Sequence, residues 1–182
     1  MSYTCISNVD LWKLKTGRTV EEDISGKDCV IRGVALEPLL REIYARLNPD
    51  VTVNHDDYTL VRHPKYDYLL ATLDGIITGP DGKRGILEIK TCQLNGYNYV
   101  DWQNRIPDNY YCQILHYLLV TGFDYAVVFA LLLGREQHSI KTYRFEARER
   151  KREIIYLKEK EIEFWEEYVL EDREPPLILP KI

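Results

Sequence analysis

Three residues whose types suit phosphate chemistry fall on two neighbouring segments of the chain: Asp74, Glu88 and Lys90. The segments 71–78 and 85–91 are rich in Ile, Leu and Thr, and Gly-Pro-Asp-Gly at 79–82 lies between them. That tetrapeptide is typical of a tight turn, because Pro fixes φ and Gly permits positive φ. We therefore predict a β-hairpin. A turn centred near Asp81 sets Asp74 opposite Glu88, with Cβ atoms roughly 5 Å apart, and Lys90 projects from the same face.

This set is suited to metal-dependent hydrolysis of a phosphodiester. Two carboxylates at that separation repel each other unless a cation lies between them. Mg²⁺ prefers carboxylate oxygens and keeps several waters, and a bound ion polarises phosphate and lowers the pKa of a water. The Lys90 ammonium can orient that water or stabilise charge that develops on the phosphate.

A plainer interpretation stays open on these residues alone. A Glu-x-Lys pair on a strand often belongs to a solvated surface, and Asp-Gly is often only a turn. The apolar neighbours Ile86, Leu87 and Ile89 argue against a fully solvated strand, and the hairpin register supplies the third partner.

The surrounding pattern predicts the elements that position these residues. Apolar residues recur at intervals of three and four through 36–47, which predicts a helix that either begins near Glu37 or is kinked at Pro38. Further helices are predicted at 9–16, 110–121 and 147–170, strands at 51–55, 58–62, 125–133 and 139–145, and a long loop at 92–109. This order predicts an α/β (α+β mixed) fold, with a central mixed sheet flanked by helices. We expect one domain over 1–182, with its core at about 30–147.

Composition is that of a globular protein, with 182 residues, 45% hydrophobic and 29% charged, and a net charge of −5. No apolar run approaches the length of a membrane span, and the N-terminus lacks the plan of a signal peptide; we expect a cytoplasmic protein. The spacing of Cys5, Cys29, Cys92 and Cys112 excludes a zinc ribbon or CxxC redox motif. Buried thiols outside disulfides are expected. The acidic net charge is only a weak argument against DNA binding, since local basic patches can hold phosphates.

The motif Asp74-Gly75, followed by Leu-Glu-Ile-Lys-Thr at 87–91, resembles the core of the PD-(D/E)xK nuclease superfamily. Four further segments resemble the phage-type YqaJ and lambda exonucleases within it. They are Leu-Trp with Lys-Thr-Gly at 11–17, Gly-x-x-x-Glu-Pro at 33–38, Ile-Pro to Tyr at 106–110 with Gln113 and Tyr117, and Thr-Gly at 121–122. The resemblance covers about residues 11–133 and implies a metal-dependent DNA exonuclease of phage recombination, in a bacterial host.

The resemblance also implies roles for individual residues. Asp74, Glu88 and the main-chain carbonyl of Ile89 would hold Mg²⁺, for which Mn²⁺ can substitute. Lys90 would position the attacking water, and Glu37 would contact a second metal ion or its waters. Gln113 would orient Lys90 or a ligand, with Tyr117 in a supporting role on the same helix face.

Other features of the family imply partners and limits. The resemblance implies DNA as substrate, a single-strand annealing protein as a partner, and a trimer-like ring of identical chains. Relatives can carry an iron–sulfur cluster on C-terminal cysteines, and no cysteine follows Cys112 here, so no such cluster is expected. Relatives also carry a Ser-containing motif before Leu-Trp that helps hold DNA, where this chain has only Ser2 and Ser7. That departure leaves open an endonuclease or nickase, and a non-catalytic protein that binds DNA or another protein, such as an anti-defence factor.

Candidate DNA contacts lie outside the motif. Basic residues cluster at the start of the last predicted helix, where Lys and Arg oppose the helix dipole: Arg148, Arg150, Lys151 and Arg152. Trp102, in the long loop, is a further candidate. A solvated helix face is the plainer interpretation of the basic cluster.

Overall fold

The structure, a computed structural model, describes residues 7–56, 60–94, 100–135 and 137–178. The first half of the chain forms the helices α1 Asn8–Lys15 and α2 Asp28–Leu47, followed by the strands β1 Thr52–Asn54, β2 Leu60–Arg62, β3 Leu70–Thr72, β4 Gly75–Thr78 and β5 Arg84–Gln93. The second half forms α3 Asp108–Thr121, β6 Tyr125–Leu133, β7 His138–Glu146 and α4 Lys151–Phe164. A 3₁₀-helical turn at Val100–Trp102 precedes α3, and a π-helical turn at Trp165–Val169 follows α4.

A five-stranded mixed sheet forms the centre of the fold, in the order β1-β4-β5-β6-β7. Strands β5 and β6 are parallel, because α3 carries the chain back across the sheet between them. The other neighbours in this sheet pair antiparallel, and β2 and β3 form a separate two-stranded sheet. The predicted mixed sheet flanked by helices is confirmed.

Helices cover both faces of the central sheet. Leu87 and Ile89 of β5 pack with Leu40 and Tyr44 of α2 in one buried cluster. Ile86 belongs to a second cluster, to which α3 contributes. Alternation along a strand places Glu88 and Lys90 on the same face as Ile86, toward α3.

The predicted hairpin register is confirmed. Gly75 pairs with Leu87, and Thr78 pairs with Arg84, so the same register continued by one residue sets Asp74 opposite Glu88. Gly82 adopts φ +76° in the turn, and its amide donates to the carbonyl of Gly79 at 3.0 Å. The turn chemistry that the sequence displays therefore aligns the two carboxylates.

Some boundaries differ from the prediction. Helix α2 begins at Asp28 and runs through Pro38, so it does not begin near Glu37. The predicted strand 71–78 is interrupted before β4, because β3 pairs with β2 while β4 joins the central sheet. Helix α4 begins only at Lys151, after a turn.

The cysteine prediction is partly wrong. Cys29 and Cys112 are exposed rather than buried, whereas Cys92 is half-buried; Cys5 lies outside the described residues. Within the described part of the chain, no helix is long and apolar enough to cross a membrane.

Candidate active site

Two carboxylates and one lysine meet where β4 leaves the edge of β5. The Lys90 Nζ atom lies 2.6 Å from Glu88 Oε1. Asp74 Oδ2 accepts a hydrogen bond from the Ile89 amide at 2.7 Å, which fixes the carboxylate of Asp74 against β5 one residue from Glu88. The three side chains at the centre of the predicted motif are thus held together by β4 and β5.

Burial dominates the electrostatics of both carboxylates. Glu88 is only 3% exposed, and burial, opposed by Lys90 and reinforced by Asp74, raises its pKa to about 7. Burial also raises the pKa of Asp74 above its usual range, although the Ile89 amide and the charge of Lys90 oppose the shift. A buried carboxyl with a raised pKa is costly to ionise unless a cation accompanies it.

The Lys90 ammonium is held from two sides. Its Nζ atom lies 4.6 Å from the ring centroid of Tyr110 in α3, in addition to its ion pair with Glu88. Burial lowers the pKa of Lys90, but the attraction of Glu88 and its hydrogen bond outweigh burial, so the pKa lies above its ordinary value. Lys90 therefore stays charged at neutral pH and serves as a fixed positive group rather than a proton donor.

Glu37 approaches from α2 with Arg41 one helical turn further along. Arg41 pairs with Glu37, and its Nε donates to the main-chain carbonyl of Asp74 at 2.6 Å. Burial and the charge of Asp74 raise the pKa of Glu37, which places the two carboxylates within electrostatic reach. Arg41 thus joins α2 to the segment that carries Asp74.

Gln113 forms a hydrogen bond within its own helix. Its Nε2 donates to the hydroxyl of Tyr117 at 2.8 Å, because residues four apart share a helix face. Tyr117 is buried; burial raises the pKa of its hydroxyl most, and the charge of Glu88 raises it further. The role of Gln113 in orienting Lys90 or a ligand stays a prediction.

The oxygen atoms of Asp74, Glu88 and Ile89 fit a divalent metal ion, whereas the carboxylate of Glu37 pairs with Arg41. Glu88 Oε2 is buried without a hydrogen-bond partner, and such an atom is expected to accept a proton, a water or a cation. Asp74 and the Ile89 carbonyl complete an oxygen set of the kind that Mg²⁺ prefers. Among the described residues, no group of three or more His, Cys, Asp or Glu side chains is arranged around one point. The predicted direct contact of Glu37 with metal is therefore not supported, since its carboxylate pairs with Arg41.

Comparison with known proteins identifies the family of this chain. The family described as the YqaJ-like viral recombinase domain matches residues 2–124. The chain belongs to this family. A Bacillus subtilis relative named uncharacterized protein YqaJ is 34% identical over 172 residues, which cover 92% of this chain and 50% of the relative. The YqaJ-like chain therefore spans about half the length of the curated relative that it matches.

Solved structures show the fold of this YqaJ-like chain. The alkaline exonuclease LHK-Exo from Laribacter hongkongensis superimposes with a TM-score of 0.54 at 19% identity, covering 90% of this chain and 84% of the exonuclease. LHK-Exo in complex with dAMP gives a TM-score of 0.55 at 19% identity, with the same coverage. The YqaJ-like chain has the fold of this exonuclease.

The side chains predicted to contact DNA in the YqaJ-like chain differ in their exposure. Trp102 is 1% exposed and packs against Tyr110 and Tyr143, so the prediction of a DNA contact is wrong for this buried ring. Arg148, Lys151 and Arg152 are exposed. Arg150 is half-buried, with Glu153 at 4.0 Å. The basic cluster stays a prediction.

Two residues of the YqaJ-like site were missed by the sequence analysis. Arg41 lies four residues after Glu37, a spacing at which opposite charges meet on a helix, so that signal was present. In the sequence, Tyr110 stands out only as the last residue of the Ile-Pro to Tyr segment at 106–110. Its contact with Lys90 depends on how α3 packs on the sheet, which no local pattern gives.

Proposed function

We propose that this YqaJ-like domain hydrolyses phosphodiester bonds of DNA with the help of Mg²⁺, for which Mn²⁺ can substitute. The observation that carries the proposal is the buried pair Asp74 and Glu88 beside a charged Lys90, with Glu88 Oε2 left without a partner. Ion pairs that serve only stability seldom leave a buried carboxylate oxygen unsatisfied. The exonuclease fold of the solved relative, and the dAMP bound to it, support DNA as the substrate.

Each residue has a part in this proposal. Asp74, Glu88 and the carbonyl of Ile89 hold the ion, while the Ile89 amide fixes the orientation of Asp74. When bound, the ion polarises a phosphoryl oxygen and lowers the pKa of a water. Lys90, held by Tyr110, stabilises negative charge on the phosphate. Arg41 orients the Asp74 segment from α2 and keeps Glu37 within reach of ion-bound water.

The finer proposal is an exonuclease that works from the ends of duplex DNA. It rests on the YqaJ-like viral recombinase family and on the fold shared with an alkaline exonuclease. We further propose one nuclease domain over 1–182, a ring-like oligomer of identical chains, and a single-strand annealing protein as partner. If the protein is an exonuclease, DNA without ends should resist cleavage.

One assay tests both the metal-dependent nuclease and the finer proposal of an exonuclease. End-labelled linear duplex and closed circular DNA are incubated with the protein in Mg²⁺, in Mn²⁺ and in excess chelator. We expect loss of linear DNA only with metal, while the circle stays intact. Asp74→Asn, which keeps the side-chain shape and removes the charge, serves as the matched inactive control. Nicking of the circle would replace the exonuclease by an endonuclease. Full activity in chelator, or none with either metal, would overturn the metal-dependent nuclease.

A further inference from the structure

A second group of basic and aromatic side chains lies outside the candidate active site, where the turn between β2 and β3 meets α4. The Nζ atoms of Lys65 and Lys158 lie 5.0 Å and 5.3 Å from the ring centroid of Tyr66. The ring of His63 lies 5.2 Å from that of Tyr66. We refer to His63, Lys65, Tyr66 and Lys158 as the Tyr66 cluster. Two ammonium groups from distant parts of the chain thus each lie about 5 Å from one aromatic ring.

The two lysines of the Tyr66 cluster have no carboxylate partner within salt-bridge distance. Within the described residues, neither Lys65 nor Lys158 forms an ion pair with a carboxylate. Glu166 accepts a hydrogen bond from the adjoining Tyr68 at 3.4 Å. Burial, and then the charges of Lys158 and Lys65, lower the pKa of His63. The ammonium groups of Lys65 and Lys158 are therefore available to attract an anion.

The turn that presents Lys65 is built rigidly. His63 Nδ1 accepts hydrogen bonds from the amides of Lys65 and Tyr66, each at 3.1 Å. The amide of Leu69 donates to the carbonyl of Tyr66 at 3.0 Å. On the other side, Tyr68 stacks on Trp165, with ring centroids 4.8 Å apart and planes 10° apart, which holds the hairpin against the end of α4. A backbone that is already ordered lowers the entropic cost of binding at this turn.

The hairpin also leads from the Tyr66 cluster toward the active site. Strand β3 leaves the turn and ends at Thr72, two residues before Asp74. The hairpin that carries Lys65 at its turn therefore continues into the segment that carries Asp74.

We propose that the Tyr66 cluster binds a backbone phosphate of the DNA substrate, away from the bond that is cut. This inference rests on the proposed function and names where that substrate is held away from the metal site. Lysine ammonium groups suit backbone phosphate, because they act as point charges without base specificity. The contact anchors DNA on a protein whose net charge is −5.

The test compares two double variants of the full chain. Lys65→Gln with Lys158→Gln removes the charges of the cluster. Lys27→Gln with Lys83→Gln is the matched control, because those lysines already pair with Glu22 and Asp81. Fluorescence anisotropy with a labelled 20-base-pair duplex, in chelator to prevent cutting, gives Kd across a range of salt concentrations. The rates of cleavage in Mg²⁺ give kcat and KM.

We expect the cluster variant to bind about tenfold more weakly at 0.1 M salt, and its salt slope to fall by about one, at about 0.9 per phosphate contact. Its KM should rise while kcat at saturating DNA is kept, and Lys65→Arg with Lys158→Arg should restore binding. The control should resemble the wild type. If the salt slope of the cluster variant is unchanged while the wild type cuts DNA, phosphate binding by the cluster is overturned and the proposed function stands. A wild type that binds DNA through the cluster but never cuts it would overturn the proposed function and leave the cluster standing.

Discussion

Lys90 is held at the site by charge and by the face of an aromatic ring. Its ammonium pairs with a buried carboxylate and lies over Tyr110, so its position is fixed before any substrate arrives. Glu88, which would otherwise be expensive to ionise, is matched by this fixed charge. The pair of Lys90 and Glu88 is therefore in place before a cation or a phosphate binds.

Lys90→Ala should abolish most cleavage and leave DNA binding nearly intact. Removal of one electrostatic contact to a transition state costs roughly 10²–10³ in rate, whereas affinity for DNA is spread over several phosphate contacts. Initial rates in Mg²⁺, beside equilibrium binding in chelator, separate the two effects. Lys83→Ala, on the exposed turn of the same hairpin, is the control, and circular dichroism checks folding. A Lys90→Ala protein that cuts at the wild-type rate would place the chemistry elsewhere.

Glu88 makes stability depend on pH in the absence of metal. Its folded pKa of about 7 lies above the ordinary 4.5, so between these values the unfolded chain releases the proton first. Stability from this group is thus complete below pH 4.5 and lost as pH rises to about 7. The loss is about 3 kcal/mol, to order of magnitude. Urea unfolding in chelator should show this decline for the wild type relative to Glu88→Gln. Parallel pH curves for the two proteins would contradict it.

At the scale of elements, one histidine joins α3, α4 and the small sheet. His116 Nδ1 lies 2.8 Å from Glu161 Oε1, and Nε2 lies 2.9 Å from the carbonyl of Leu70. Both partners accept hydrogen bonds, so they favour the doubly protonated ring. Burial lowers the pKa of His116, but Glu161 and the Leu70 carbonyl outweigh burial and raise it above 6.5.

His116 should stabilise the packing of α3 against α4 most strongly in mild acid. Because the folded pKa is raised, its contribution is complete below about pH 6.5 and is lost as pH rises through the folded pKa. We expect His116→Gln to lower the free energy of unfolding at pH 6 and to lower it less at pH 9. Thermal unfolding at both pH values measures this. His138→Gln, at an exposed position of β7, is the control, and an equal cost at both pH values for His116→Gln would refute the linkage.

At the scale of the whole molecule, metal binding should stabilise the native state. The proposed oxygen ligands come from β5 and from the segment before β4, which separate when the chain unfolds, so an ion should bind the folded protein and not the unfolded one. At a hundredfold excess over Kd, this linkage contributes about 2.7 kcal/mol. Thermal unfolding should shift upward with Mg²⁺ or Mn²⁺ for the wild type, but not for Asp74→Asn. A matched ionic strength of NaCl is the control, and an equal shift in both proteins would show binding elsewhere.

The assembly of the whole molecule can be measured directly. The ring-like oligomer of identical chains is part of the proposed function. Light scattering on the full chain should then give a mass that is a multiple of 21.5 kDa. A monomer at the highest soluble concentration would contradict the ring and favour the endonuclease.

The sequence by itself determined the hairpin and its chemistry. Turn residues at 79–82 fix the register, and the period of two in a strand then brings Asp74, Glu88 and Lys90 to one face. Helix α3 and strand β6 were also predictable, because Gly122 ends the helix and the apolar run of β6 is typical of a strand buried on both faces. These features depend on neighbours in the chain, so local patterns carry them.

Only the tertiary structure decided which side chains meet from distant elements. The contact of Tyr110 with Lys90, the burial of Trp102 and the bond from Arg41 to Asp74 depend on how helices pack on the sheet. The same holds for the meeting of Lys65 and Lys158 over Tyr66. Packing is governed by the fit of whole surfaces, and a spacing along the chain does not encode it. The sequence therefore indicated the chemistry of the metal site, and the fold determined what surrounds it.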